Sequence, residues 1–91
     1  MDSFFIYIIQ SQTTGRFYIG QTNNVYQRVV RHNQGGCTAT RNKGPWILCA
    51  VRAFNSRAEA MAEERALKAK KSSHFLRWYI QQFPPPASLF P

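Results

Sequence analysis

The residues from Phe4 to Gln10, Phe-Phe-Ile-Tyr-Ile-Ile-Gln, are apolar or aromatic at all but the last position. An almost unbroken run of this length predicts a central strand covered on both faces, rather than one with a wet side. Ser11-Gln12-Thr13-Thr14-Gly15 is turn chemistry, and Arg16 to Gly20 reads as the returning strand of a hairpin. With an even-numbered loop, Tyr7 and Tyr18 fall on one face, because side chains alternate with period two. Asn24 is an N-cap residue with Gln27 in capping-box position, so a helix is expected to about Asn33, where Gly35-Gly36 stops it. A polar and basic loop, 37–44, leads to a third, mostly apolar strand, Pro45 to Phe54. Ser56 and Glu59 make a second capping box for a long helix to about Lys71, and Ser73 is the expected cap of a last helix, His74 to Gln82. The order ββαβαα predicts an α+β domain with a small antiparallel sheet and flanking helices. Residues 1–83 form this one domain, and 84–91, opening on Pro84-Pro85-Pro86, form a proline-rich tail that cannot continue a helix.

Composition changes the picture in one respect. Twelve Lys and Arg stand against four acids, a net charge of +8. A domain this basic favours an anionic partner, nucleic acid before an anionic membrane surface. At 44% hydrophobic the chain is too apolar for a disordered segment. No apolar run approaches the roughly 20 residues of a membrane helix, and Met1-Asp2-Ser3 lacks the basic start of a secretory signal. Cys37 and Cys49 have neither CxxC spacing nor histidine neighbours, which argues against zinc and for reduced thiols in a cytoplasmic or nuclear protein.

Five residues carry candidate chemistry. Cutting a phosphodiester requires a water to lose a proton, the charge growing at phosphorus to be neutralised, and the leaving oxygen to be stabilised. Tyr7 or Tyr18 can take a proton if cations lower its pKa from about 10. Arg28 is such a cation and can fork onto phosphate oxygens. His32, one helical turn away, can relay the proton. Glu64 can anchor Mg²⁺, an ion that keeps several waters. Each has a plainer reading: a packed strand aromatic, a solvated arginine, a histidine at a helix end, a Glu64–Lys68 surface pair. Glu63 is as good a carboxylate as Glu64 on composition. On composition and spacing alone, a basic nucleic-acid binder is a better reading of these residues than an enzyme.

Their order resembles the GIY-YIG nuclease family. Phe5-Ile6-Tyr7 and Tyr18-Ile19-Gly20 stand for the two triplets, with Phe5 in place of the first glycine. Thr22, Asn24, Arg28, His32-Asn33 and Gly35 follow. Thr40-Arg41 and Pro45-Trp46 are similar to the segment entering the third strand, and Glu59 through Glu64 to Lys68 to the metal-binding helix. The likeness is greatest to small stand-alone bacterial members, which are similar to the nuclease domain of the excinuclease incision subunit.

The resemblance implies a three-stranded antiparallel sheet and a metal-dependent endonuclease that hydrolyses DNA. In that role Tyr7 is the general base, His32 takes or orders its proton, and Tyr18 positions water or phosphate. Arg28 stabilises the transition state, and Glu64 holds one Mg²⁺, or Mn²⁺ in its place. All five should then line one concave, solvent-reachable face. Many members have an asparagine on the last helix; here Gln81 or Gln82 stands in that region. Arg16, Arg31, Arg41, Lys43, Lys68 and Lys71 are the expected DNA-backbone contacts, giving affinity without sequence choice. The expected activity is structure-selective or weakly sequence-selective, steered by a protein partner where more is needed, in DNA repair or recombination. Such a protein would be cytoplasmic and at the nucleoid when working. The rival expectation is a nucleic-acid-binding module with little or no catalysis.

Overall fold

The computed structural model describes residues 3–70 and 72–86; Lys71 and the end of the tail, 87–91, lie outside the described residues. Strands β1 (Phe4–Ser11), β2 (Phe17–Thr22) and β3 (Trp46–Phe54) form one antiparallel sheet in the order β2-β1-β3. Helix α1 (Val25–Asn33) follows β2, a single 3₁₀ turn (Thr38–Thr40) interrupts the loop to β3, and α2 (Arg57–Lys70) and α3 (Ser73–Gln82) close the chain. The α+β architecture and the central place of β1 are as the sequence predicts. Ile6, Tyr7, Ile8 and Ile9 are all buried, because both faces of β1 are covered.

The two faces have separate cores. Ile6, Ile8, Ile19 and Ala50 pack under Leu67 of α2 and Tyr79 of α3. On the other face, Tyr7, Ile9, Trp46 and Leu48 pack under Val25 and Val29, one turn apart on α1. A β-bulge keeps both faces apolar. The β1–β3 pairing passes from Ile8–Ala50 to Ile9–Leu48, leaving Cys49 as an extra residue on β3. Trp46, Leu48 and Val51 therefore join the α1 side, while Ala50 joins the other. A regular strand would have put Leu48 and Ala50 on one face.

The helix ends use local chemistry. The Asn24 side chain accepts from the Gln27 amide at 3.1 Å, the expected cap. At the far end Gly36 N–H donates to the Arg31 carbonyl (2.9 Å) and Gly35 N–H to that of His32 (3.2 Å), with Gly35 at φ +79°. This paired closure requires a left-handed residue, which glycine adopts without a Cβ penalty. Ser56 caps α2 through the Glu59 amide. Ser72, not the expected Ser73, caps α3 by accepting from the Phe75 amide at 3.2 Å; two adjacent serines are chemically equal caps, and the extended backbone at 72 decides between them. No helix among the described residues is long and apolar enough to cross a membrane.

Candidate active site

Hairpin register sets the first part of the site. Tyr18 lies opposite Ile9, and Gly20 lies directly opposite Tyr7, so both tyrosines occupy the α1 face of the sheet. The Tyr7 ring crosses over Gly20. A Cβ on residue 20 would overlap the hydroxyl and ring carbons of Tyr7, so only glycine admits the ring in this position.

Helix α1 brings the second part. His32 Nε2 lies 2.8 Å from the Tyr7 hydroxyl, a buried hydrogen bond between residues 25 apart in sequence. The Arg28 guanidinium, one turn earlier, is close enough for its charge to act on the same hydroxyl. The His32 ring stands edge-on to Tyr18 at 5.0 Å and against Trp46 at 6.5 Å. Behind it, Nδ1 lies 2.7 Å from the Thr40 hydroxyl. The loop carrying Thr40 is clasped in place. Asn33 accepts from the Trp46 amide (2.7 Å) and donates to its carbonyl (3.2 Å), and the Trp46 indole donates to the Thr40 carbonyl. Thr40 therefore joins the network although the sequence showed it only as part of a segment entering β3; its partner is eight positions away and no local pattern announces the contact.

The expectation of an open face holds only in part. Tyr7 is 1% exposed and His32 2%, because α1 seals this end of the sheet, whereas Tyr18, Arg28 and Glu64 are half-buried. Burial dominates the electrostatics. It raises the Tyr7 pKa well above the usual phenol range, with a further rise from Tyr18, against which Arg28 acts. It lowers the His32 pKa from 6.5 to about 4, and Arg28 and Arg31 add to that. The resting state at neutral pH is thus a neutral phenol beside a neutral imidazole. Tyr18 is also raised, by burial first and then by Cys37 and Glu64, against Arg28.

The two adjacent glutamates of α2 have different surroundings. Glu63 accepts from Arg52 at 2.5 Å and from the Tyr79 hydroxyl at 3.0 Å. Arg52 is in turn stacked over Phe54 and Phe83, so Glu63 ties α2 to β3 and α3. Among the described residues, Glu64 has no such ties and pairs only with Lys68. The exposed Lys68 lies 3.7 Å from it, with its ammonium 5.9 Å from the Tyr18 ring, and the Glu64 charge raises the Tyr18 pKa. No group of three His, Cys, Asp or Glu side chains gathers among the described residues. One half-buried carboxylate with a displaceable lysine suits a hydrated hard cation such as Mg²⁺, and does not suit a closed zinc cage.

The expected DNA contacts separate into groups. Arg16 and Lys68 border a groove of about 470 Å³ that Tyr18 also lines, with Phe17, Leu67 and Leu76 on its walls. Arg31 shares a shallow hollow with Arg28, Asn23 and Asn24. Arg41 and Lys43 are partly spent on the loop, donating to the Gly35 and Ala39 carbonyls. Gln81 and Gln82 are exposed at the end of α3, and neither joins the hydrogen bonds around Tyr7.

Comparison with known proteins shows the family and agrees with the fold. The family profile described as the GIY-YIG catalytic domain matches residues 3–77. A UPF0213 protein of Halobacterium salinarum is 38% identical over 64 residues, covering 69% of this chain and 82% of that protein. One from Streptococcus pneumoniae is 37% identical, covering 74% and 68%. The protein named structure-specific endonuclease subunit SLX1 homolog in Brugia malayi is 32% identical over 88 residues, 85% of this chain but only 26% of its own length. The solution structure of the UPF0213 protein from Bacillus halodurans superposes with a TM-score of 0.57 at 31% identity, covering 96% of this chain and 92% of that one.

Proposed function

The chain belongs to the GIY-YIG family of nucleases, and on that premise we propose that it is a metal-dependent DNA endonuclease using Tyr7, Tyr18, Arg28, His32 and Glu64. The observation that carries the proposal is the buried 2.8 Å contact between the Tyr7 hydroxyl and His32 Nε2 beside the Arg28 guanidinium. Any buried tyrosine hydroxyl needs a hydrogen-bond partner; one whose partner is a titratable base also has a path for its proton.

Because burial holds Tyr7 as a neutral phenol, it does not wait as a phenolate. It works instead in one movement with His32. As an attacking water gives its proton to the Tyr7 oxygen, Tyr7 gives its own to His32 Nε2. The imidazole is neutral at neutral pH and so has a nitrogen to accept with, while burial, Arg28 and Arg31 make it a weak base that holds the proton only briefly. Arg28 stays beside the oxygen and offsets negative charge on the phosphate. Tyr18, at the edge of the sheet next to the groove, orients the water or a phosphate oxygen. Glu64 would hold a single Mg²⁺ or Mn²⁺, and Lewis-acid help to the phosphate and its leaving oxygen is the chemistry that ion would supply.

Arg16, Arg31, Arg41, Lys43 and Lys68 bind the backbone, Lys71 joining them from outside the described residues; backbone contacts of this kind set affinity and carry no sequence code. Selectivity for DNA shape rather than sequence fits the groove that adjoins Tyr18, and the name of the Brugia malayi relative points the same way. A protein partner would supply any finer choice. The work would be repair or recombination of DNA in the cytoplasm, at the nucleoid. The test is incubation with branched, flapped, nicked and plain duplex DNA in Mg²⁺ or Mn²⁺, with a chelator as control. Cleavage that is stopped by chelator and favours branched or flapped DNA is expected. Binding to all four with no product would instead support a nucleic-acid-binding module.

A further inference from the structure

Thr40 has no part in the reaction just described, yet it is 1% exposed and its hydroxyl is aimed at the far nitrogen of His32. A neutral imidazole carries one proton, and the hydrogen bond made by one nitrogen decides which nitrogen holds it. The Thr40 hydroxyl has two neighbours: His32 Nδ1 at 2.7 Å and the Cys37 carbonyl at 3.4 Å. The carbonyl can only accept, so both contacts are hydrogen bonds only if the hydroxyl proton goes to it. The threonine oxygen is then left as an acceptor facing Nδ1, and Nδ1 must carry the ring proton. On the other side, the Tyr7 hydroxyl lies 2.8 Å from Nε2 and has one proton to give. Both ends agree on the same arrangement: Nδ1–H toward Thr40, and a bare Nε2 toward Tyr7.

We propose that Thr40 is a positioning residue whose hydroxyl locks His32 in the tautomer that leaves Nε2 free to take the Tyr7 proton. With the opposite tautomer Nε2 would already be protonated, and Tyr7 would have nowhere to send its proton when water attacks. The proton count balances at the ring: Tyr7 loses one and gains one from water, and His32 becomes an imidazolium still donating through Nδ1 to Thr40. It returns the proton through Nε2 when the cycle closes. The surrounding clasp keeps the threonine in place. The Trp46 indole and the Asn33 side chain fix the loop on both sides of residues 40 to 46, so the hydroxyl cannot swing away without opening that end of the sheet. The tautomer stands on geometry alone; its catalytic consequence rests on the nuclease reading.

Imidazole ¹H–¹⁵N NMR on the whole chain near neutral pH reports which ring nitrogen of His32 is protonated, with exposed His74 in the same spectrum for comparison. Wild-type His32 should show Nδ1–H, and Thr40→Ser should keep it. Thr40→Val, the same shape without an acceptor, should lose it. In cleavage assays Thr40→Val should lower kcat roughly tenfold, the rate equivalent of one hydrogen bond, with KM unchanged, and Thr40→Ser should restore it. Wild-type His32 found as Nε2–H overturns the proposal, and that measurement needs no variant to fold. Thr40→Val that keeps both Nδ1–H and full kcat overturns it as well. A wild-type chain that holds Nδ1–H yet cleaves no DNA supports the lock and sinks the nuclease reading.

Discussion

Replacing Gly20 by alanine should disable the site from beneath. An alanine Cβ at this position would lie 2.5 Å from Tyr7 Cζ and 2.8 Å from Cε1, well inside van der Waals contact. The obstacle is not a loose side-chain tip. Tyr7 is 1% exposed, sits on the central strand and packs among Ile9, Val25, Val29 and Trp46. Its ring can move only by lifting away from Gly20, which pulls the hydroxyl off His32 Nε2. Overpacking of this kind costs about 1–3 kcal/mol, and the lost buried hydrogen bond about 1 kcal/mol more. The sum is about 2–4 kcal/mol. For a domain of this size each kcal/mol moves the melting temperature by about 4–8 °C, so Gly20→Ala should melt at least about 8 °C lower. Thermal unfolding followed by circular dichroism measures this, and chromatography confirms that the variant is folded at room temperature. An unchanged melting temperature would refute the reasoning, since it would mean that the ring does not lie across residue 20.

Three further outcomes follow from the same geometry. His32 should stay neutral down to about pH 4; the unfolded ring takes up a proton below about 6.5, so this group's share of stability is whole above pH 6.5. It falls as pH drops toward 4, by about 3 kcal/mol at the limit, and an NMR titration that finds His32 protonating near 6.5 contradicts it. Glu63→Gln should destabilise the fold by about 1–2 kcal/mol through Arg52 and Tyr79, discounted because Arg52 is partly exposed, and leave cleavage intact. Glu64→Ala should do the opposite, and urea unfolding beside a cleavage assay separates the two. Duplex affinity should fall with salt at a log–log slope of about −0.9 per phosphate contact, and scrambling the sequence of a substrate of fixed shape should change binding by under about 1 kcal/mol; strong preference for one sequence would contradict this.

What the sequence shows and hides follows the range of the interactions. β1 was legible because burial on both faces leaves a continuous apolar run. The caps at Asn24 and Ser56 and the Gly35-Gly36 stop were legible because the groups they satisfy lie within a few residues. The bulge at Cys49 was not, since it shows only when β3 is set against β1 and Val51 is found beside Tyr7. The burial of Tyr7 and His32 depends on where α1 lands, and Thr40 reaches His32 only because Asn33 clasps Trp46. Glu63 and Glu64 are equal as sequence; Arg52 and Tyr79, 11 and 16 positions away from Glu63, make the distinction.

The central claim is that Tyr7 accepts a proton rather than merely filling the core. Tyr7→Phe keeps the ring over Gly20 and removes only the hydroxyl that meets His32. Single-turnover cleavage of a flapped DNA in Mg²⁺, with affinity measured in parallel, tests this most directly. The account predicts a rate at least about 10²-fold lower, the scale of a lost general base, with affinity unchanged. A folded Tyr7→Phe variant that cuts at the wild-type rate would contradict it.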